Sequence, residues 1–270
     1  MIAYGKKMKK IKSLSLIDDD DTNFYNFEGL NFLTKLKKDN RNLVIVFHGA
    51  VTTNIEDGIN RVVFRGFNWL IPNTDILCIS DYILSIYEQY RINWFLSTSN
   101  HNADMKYTYL FDYIISSKNY ENIIFTGTSA GGYPSIRYAS KYNEIALIGN
   151  SQLYLEQYYV RNKRWKGGYF QNLNMIELNG DKLIYSEKDL EKIIIHNKPK
   201  KLIIYQNIED KTHCNYHYLP FKEFIINSGF SDYVEFNLFE NKDKSIKRKP
   251  HGVTFPEDEK HISVLKKLLA

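Results

Sequence analysis

Residues 122–132 read NIIFTGTSAGG, and the character of the chain changes halfway along this stretch. NIIFT is a short apolar run with β-branched and aromatic side chains, which suits a strand buried on both faces. The second half is rich in glycine, and the residues beyond it, YPSIRYASKY, are compatible with a helix. A strand that breaks into a helix through G-x-S-x-G lifts a serine hydroxyl clear of the sheet, and Ser129 holds that position. The bend requires a strained backbone at the serine. It also requires small residues, Gly127 and Gly131, where strand and helix pass close to one another. The helix N-terminus then directs N–H groups without intrahelical partners toward the space above the hydroxyl. Pro134 falls within or just beyond the first turn, where a missing N–H is tolerated. A glycine-rich turn without chemistry would carry the same letters, so the rest of the chain must decide.

Similar apolar runs occur at residues 43–47 (LVIVF), 75–79 (DILCI), 144–148 (EIALI) and 202–205 (LIIY). Residues 233–239 (YVEFNLF) alternate more and suit a strand nearer the sheet edge. Helix-compatible segments lie at 103–117, 130–141, 220–227 and 257–269. This order predicts an α/β fold, with a mostly parallel central sheet and helices on both faces. At 270 residues the chain can bury one large core, and residues 1–270 are read as a single domain. Residues 151–199 are rich in Tyr, Asn, Lys and Arg and have only a weak pattern. They are expected to form a lid-like insertion between two core strands.

A serine hydroxyl is a weak nucleophile without a base, so a histidine and a carboxylate are needed. They are expected in the chain order serine, acid, histidine. The 202–205 strand runs into Asn207-Ile208-Glu209-Asp210, which offers two acids; Asp210 is preferred and Glu209 is the alternative. His251 lies between the 233–239 strand and the last helix, and Pro250 and Gly252 on either side suit a fixed turn. His261 is read as a surface residue of that helix. His213 and His217 follow the acid closely but lack a second ligand cluster. No metal is therefore expected, and His213 is read as a substrate contact or a packing residue. His48-Gly49-Ala50 ends the 43–47 strand, where a second oxyanion donor belongs. The backbone N–H groups of Ala130 and of Ala50 or Gly49 are the candidates, and His48 itself is more structural than catalytic.

The net charge of +5 is mild. Basic clusters at residues 6–12 and 242–249 and the acidic run 18–21 read as solvated surface; the second basic cluster could also attract a phosphorylated cofactor. Nothing matches a nucleic-acid reader. Cys78 and Cys214 are too few for a disulfide framework, and Cys78 reads as a buried small hydrophobe. With no long apolar segment, the expected location is cytoplasmic, at most peripheral to the inner membrane.

The HGA segment after its strand, GTSAGG, Gly149-Asn150-Ser151-Gln152, and Gln206-Asn207 with Asp210, His213 and Pro220-Phe221 together resemble a known family. It is the bacterial capsule-biosynthesis proteins of the α/β-hydrolase fold, which include capsular polysaccharide O-acetyltransferases and the XcbB/CpsF-like group. Ser151 stands where proline stands in the GNPQ-like form. The resemblance implies an α/β-hydrolase fold and transfer of an acetyl group from acetyl-CoA to a polysaccharide hydroxyl through an acetyl-serine intermediate. Ser129, Asp210 and His251 match the family's triad, and His48, Gln152 and His213 become candidate substrate contacts. Acetyl-CoA would be a donor substrate rather than a bound cofactor. The polysaccharide acceptor, the capsule-synthesis machinery and a second copy of the chain are the expected partners. The same residues would serve a carboxylesterase or polysaccharide deacetylase, and a non-catalytic hydrolase-like subunit could keep the fold alone.

Overall fold

The computed structural model describes residues 2–3, 6–19, 22–51, 63–87, 92–155, 189–241, 250–257 and 259–270. Its strands are β1 (Ile2–Ala3), β2 (Lys6–Lys7), β3 (Lys9–Ile11), β4 (Thr22–Phe27), β5 (Leu30–Lys35), β6 (Asn42–Phe47), β7 (Thr74–Ile79), β8 (Asn122–Thr128), β9 (Ile145–Gly149), β10 (Lys201–Asn207) and β11 (Val234–Phe239). Its helices of five or more residues, apart from a π-turn noted below, are α1 (Tyr82–Ile86), α2 (Ala103–Ser116), α3 (Gly132–Tyr142), α4 (Leu190–His196), α5 (Leu219–Asn227) and α6 (His261–Leu268).

Nine strands form one sheet in the order β11-β10-β9-β8-β6-β7-β5-β4-β3. From β7 to β11 every neighbouring pair is parallel. The apolar runs read from sequence are these strands, and β11 is an edge strand with partly exposed positions. Alternation explains why the inner runs are apolar throughout. Leu43, Ile45 and Phe47 enter the core on one face, while Val44 and Val46 enter the core on the other. On the first face Phe47, Phe111 of α2, Phe125 and Tyr138 of α3 pack ring to ring at 5.0–6.5 Å. On the second, Val264 and Leu265 of α6 close the layer. Fully burying each such side chain contributes about 1.5–3 kcal/mol. Cys78 is fully buried in this second layer, as expected.

Two features depart from the sequence reading. The N-terminal segment, which carries no clear strand pattern, adds the antiparallel β4–β5 hairpin beside β7, and β3 then pairs parallel with β4. The last helix begins at His261 rather than residue 257, and His261 turns inward. Its ring stacks on Phe255 at 4.3 Å and meets Trp69 edge-on at 4.7 Å. The Thr126 hydroxyl donates to the Leu147 carbonyl, so it accepts from His261 Nε2–H at 2.7 Å. Burial, with the charge of Arg65 adding to it, pushes the imidazole down to about 3.

Most of the expected insertion, residues 156–188, and the basic cluster 242–249 lie outside the described residues. Among the described residues no helix is long and apolar enough to cross a membrane.

Candidate active site

Strand β8 delivers Ser129 at its C-terminal end with φ +56°, a left-handed conformation that a serine adopts only under constraint. A single 3-10 turn, Ser129–Gly131, leads into α3. The glycines permit the bend. A Cβ on Gly127 would lie 2.4 Å from the Gly131 carbonyl oxygen, and one on Gly131 would lie 2.6 Å from that of Phe47. Any side chain at either position would force strand and helix apart. Ala130 follows the serine in the first turn, where N–H groups have no intrahelical partner. The loop after β6 lies alongside: a Cβ on Gly49 would sit 3.4 Å from that of Ser129. The loop at Gly49 therefore borders the hydroxyl.

Three elements converge on Ser129. His251 Nε2 lies 2.8 Å from Ser129 Oγ, and His251 Nδ1 lies 2.8 Å from Asp210 Oδ2. Asp210 caps the helical turn Lys211–His213 after β10, and its side chain accepts the His213 backbone N–H. Burial alone would raise the Asp210 carboxyl. Hydrogen bonds from His213 and His251 outweigh that and hold it well below the usual carboxylate range. An ionised Asp210 only accepts, so His251 carries its proton on Nδ1 and presents the Nε2 lone pair to the serine hydroxyl. The carboxylate that meets His251 is that of Asp210. Glu209, the alternative acid, is held by its backbone N–H to Asn207 Oδ1.

The candidate contacts His48, Gln152 and His213 are all buried, and each is held by hydrogen bonds within the protein. His48 Nε2 accepts the Asp81 N–H at 3.0 Å, so its Nδ1–H donates to the Gly49 carbonyl at 2.6 Å. Burial, against that bond to Gly49, pushes this ring down to about 4. Gln152 accepts the Trp94 indole N–H at 2.6 Å, and its backbone N–H meets the Ser129 carbonyl at 3.2 Å. His213 stacks on His251 and donates from Nδ1 to Asp210 Oδ1 at 3.0 Å. Burial lowers its basicity, and the bond to Asp210 works in the opposite direction.

The sequence reading also missed what holds the histidine loop. Asn150, fully buried at φ +43°, points its amide at the carbonyls of Val253 (2.8 Å), His251 (3.3 Å) and Pro250 (3.4 Å). Its Oδ1 accepts the Asn207 N–H at 2.8 Å, and Asn207 Nδ2 donates to the Pro250 carbonyl at 3.1 Å. The signal available was the pair of asparagines that directly follow strands at 149–152 and 206–207. Asp81 supports the other side of the site, where its backbone N–H meets His48 Nε2. Its carboxylate accepts the N–H of Ile83 and of Phe95, the latter in a turn where Trp94 and Phe95 both have positive φ. Burial raises the Asp81 carboxyl to about 7 against those bonds.

Asp210, His213 and His251 present ligand atoms within 4.8 Å of one another. A cation there would replace the protons that join both rings to the carboxylate. The 2.8–3.0 Å separations are those of N–H···O hydrogen bonds with every donor matched to an acceptor.

No protein-family model and no curated protein matches this chain. Solved structures do. The capsule O-acetyltransferase of Neisseria meningitidis serogroup A, in complex with caged gadolinium, is 16% identical over 81% of this chain and 86% of its own, with a TM-score of 0.59. A substrate-bound fluorophosphonate-binding serine hydrolase of Staphylococcus aureus is 12% identical over 92% of this chain and 95% of its own, at 0.54. Porphyromonas gingivalis dipeptidyl peptidase 4 is 14% identical; the match covers 92% of this chain and 35% of that one, also at 0.54. At these identities the likeness is one of fold, and with the strand order above it shows that this chain has the α/β-hydrolase fold.

Proposed function

We propose that the chain is a serine acyltransferase that moves an acetyl group from acetyl-CoA to a hydroxyl of a bacterial capsular or surface polysaccharide. The observation that carries this reading is the unbroken line Ser129 Oγ–His251–Asp210, with both contacts at 2.8 Å. His251 takes the Ser129 proton as the oxygen attacks the thioester carbonyl. The backbone N–H groups of Ala130 and of Ala50 or Gly49 hold the oxyanion, and the proton on His251 passes to the departing CoA thiolate. The acceptor hydroxyl then loses its proton to His251, attacks acetyl-Ser129 and frees the serine. Asp210 stays ionised throughout and stabilises the imidazolium. The fold shared with a capsule O-acetyltransferase over 81% of the chain favours acetyl as the group and a glycan as the acceptor. A cytoplasmic site, at most peripheral to the inner membrane and beside the capsule-synthesis machinery, would give access to acetyl-CoA.

Intact-mass spectrometry after mixing with acetyl-CoA tests this directly. A single acetyl adduct that maps to Ser129, discharged faster by an acceptor glycan than by water, is the expected result. The likeness to a serine hydrolase over 92% of the chain favours a second reading, an esterase or deacetylase with water as acceptor. Turnover of an activated acetate ester that no glycan accelerates would establish that reading and remove the first.

A further inference from the structure

We infer that His213 is a second histidine of the active site, a positioning residue that tunes the basicity of His251 through their shared carboxylate. This inference rests on the proposed role of Ser129, Asp210 and His251. The two rings lie face to face, 4.1 Å apart and 20° from parallel. Each presents Nδ1 to Asp210: His213 lies 3.0 Å from Oδ1 and 2.9 Å from Oδ2, and His251 lies 2.8 Å from Oδ2. One carboxylate thus accepts from two imidazole donors, and both reach its Oδ2. His213 Nε2 is buried without a hydrogen-bond partner, so a second proton on this ring would leave a buried N–H with no acceptor. His213 therefore stays neutral with its proton on Nδ1.

The consequence for His251 follows from the groups that face it. These are Ser129 on the elbow, Asp210 after β10, His213 on the same helical turn, and His217 in the π-turn Cys214–Tyr218, with its ring 5.3 Å behind His213. His217 accepts the backbone N–H groups of Leu153 and Tyr154 at Nδ1, and burial pushes it down to about 3, so it adds no charge. Among the described residues Asp210 is the only anion in direct contact with His251, and the His213 bond draws off part of its acceptor strength. Without that bond the carboxylate concentrates its attraction on His251, and the imidazolium becomes easier to form. His213 thus keeps His251 unprotonated, and able to act as base, to lower pH.

The rate at which a fluorophosphonate probe labels Ser129, followed from pH 5 to 9, reads this out without any substrate. His213→Phe keeps a stacked ring and removes the donor; its acid limb should move up by about half a pH unit or more. His213→Asn keeps an amide donor and removes the stack; its acid limb should stay with the wild type, at a rate lowered about tenfold. A packing role alone predicts the reverse, with Phe the better substitute and no shift in either variant, and that result overturns the inference. Should both variants fail to fold, long-range 1H–15N spectra of the wild-type histidines decide. A neutral Nδ1–H tautomer of His213 across this range is expected, and a His213 that titrates together with His251 overturns the proposal. A wild type that is not labelled at Ser129 removes the triad reading itself, and this inference with it. Labelling without the shift removes only the role of His213.

Discussion

His213 and His251 share one carboxylate from opposite burial states: 8% of the His213 side chain is exposed and 39% of that of His251. The outer ring meets the serine, and the inner ring backs it. Behind them His217 is fully buried, and on the other side of the serine His48 is nearly so. The end of the sheet that carries Ser129 is thus packed with buried imidazoles, His48, His213 and His217, that fold in their neutral form.

Those neutral rings set a pH limit on stability. His48 and His217 are pushed from 6.5 to about 4 and about 3, in each case chiefly by burial. The unfolded chain binds these protons below pH 6.5 and the native state does not, so stability falls as pH drops from 6.5 toward the folded values. Each ring should contribute about 1.4 kcal/mol of loss per pH unit. Asp210 has the opposite chemistry but acts in the same direction. Its depressed carboxyl contributes stability above about pH 4 that is lost as pH falls further. Urea midpoints at pH 7.5, 6.5 and 5.5 should be level across the first interval and drop across the second. A flat profile down to pH 5 would contradict the burial assigned to these histidines.

Ser129 separates activity from stability. Ser129→Ala removes the nucleophile and should lower turnover by on the order of a thousandfold or more. It retains the left-handed φ of +56° and should melt near the wild type. Ser129→Gly is equally inactive but relieves the strain, and it should be more stable than the alanine variant by about 1 kcal/mol. Thermal melts of the two variants side by side check this ordering.

Gly131 and Gly252 make a matched pair. A Cβ on Gly131 meets the Phe47 and His48 carbonyl oxygens at 2.6 and 2.8 Å, whereas one on Gly252 meets nothing within 4 Å. Gly131→Ala should cost about 1–3 kcal/mol and abolish Ser129 labelling, because the elbow must open. Gly252→Ala, one residue from His251, should change stability by no more than about 0.5 kcal/mol. Denaturant midpoints measure both.

Much of this architecture was legible because β6 to β10 carry apolar runs, and four of those five strands end in punctuation, HGA, GTS, GNSQ or QN, at the site end of the sheet. The sharp turn at Ser129 and the convergence of Ser129, Asp210 and His251 follow from local chemistry. What stayed hidden depends on distant packing. β4 and β5 interleave Asn, Thr and Lys with their apolar residues, and only the neighbouring strand buries Asn31 and Thr34. His261 sits in a lysine-rich helix start that reads as surface, yet Phe255, Trp69 and Thr126 draw it inward. His48, Gln152 and His213 looked like substrate contacts because polar residues beside a nucleophile usually are. Their hydrogen bonds to Asp81, Trp94 and Asp210, which the sequence does not display, tie them into the frame around Ser129.

Asn150 offers the sharpest test of that frame. The histidine loop includes the turn Pro250–Gly252, and the Asn150 amide meets the carbonyls of Pro250, His251 and Val253. Asn150→Asp conserves shape, tolerates the left-handed backbone and keeps an oxygen for the Asn207 N–H. It replaces the donor with a second acceptor aimed at carbonyl oxygens, which repels the loop. The expected result is a fall in kcat of about a hundredfold with KM nearly unchanged, because the base moves while the rest of the pocket stays. Stability should drop by only about 1–3 kcal/mol. Asn207→Asp removes a donor to the Pro250 carbonyl alone, so its kcat should fall less. Equal losses in the two variants, or a loss confined to KM, would show that the loop does not depend on Asn150 for its position.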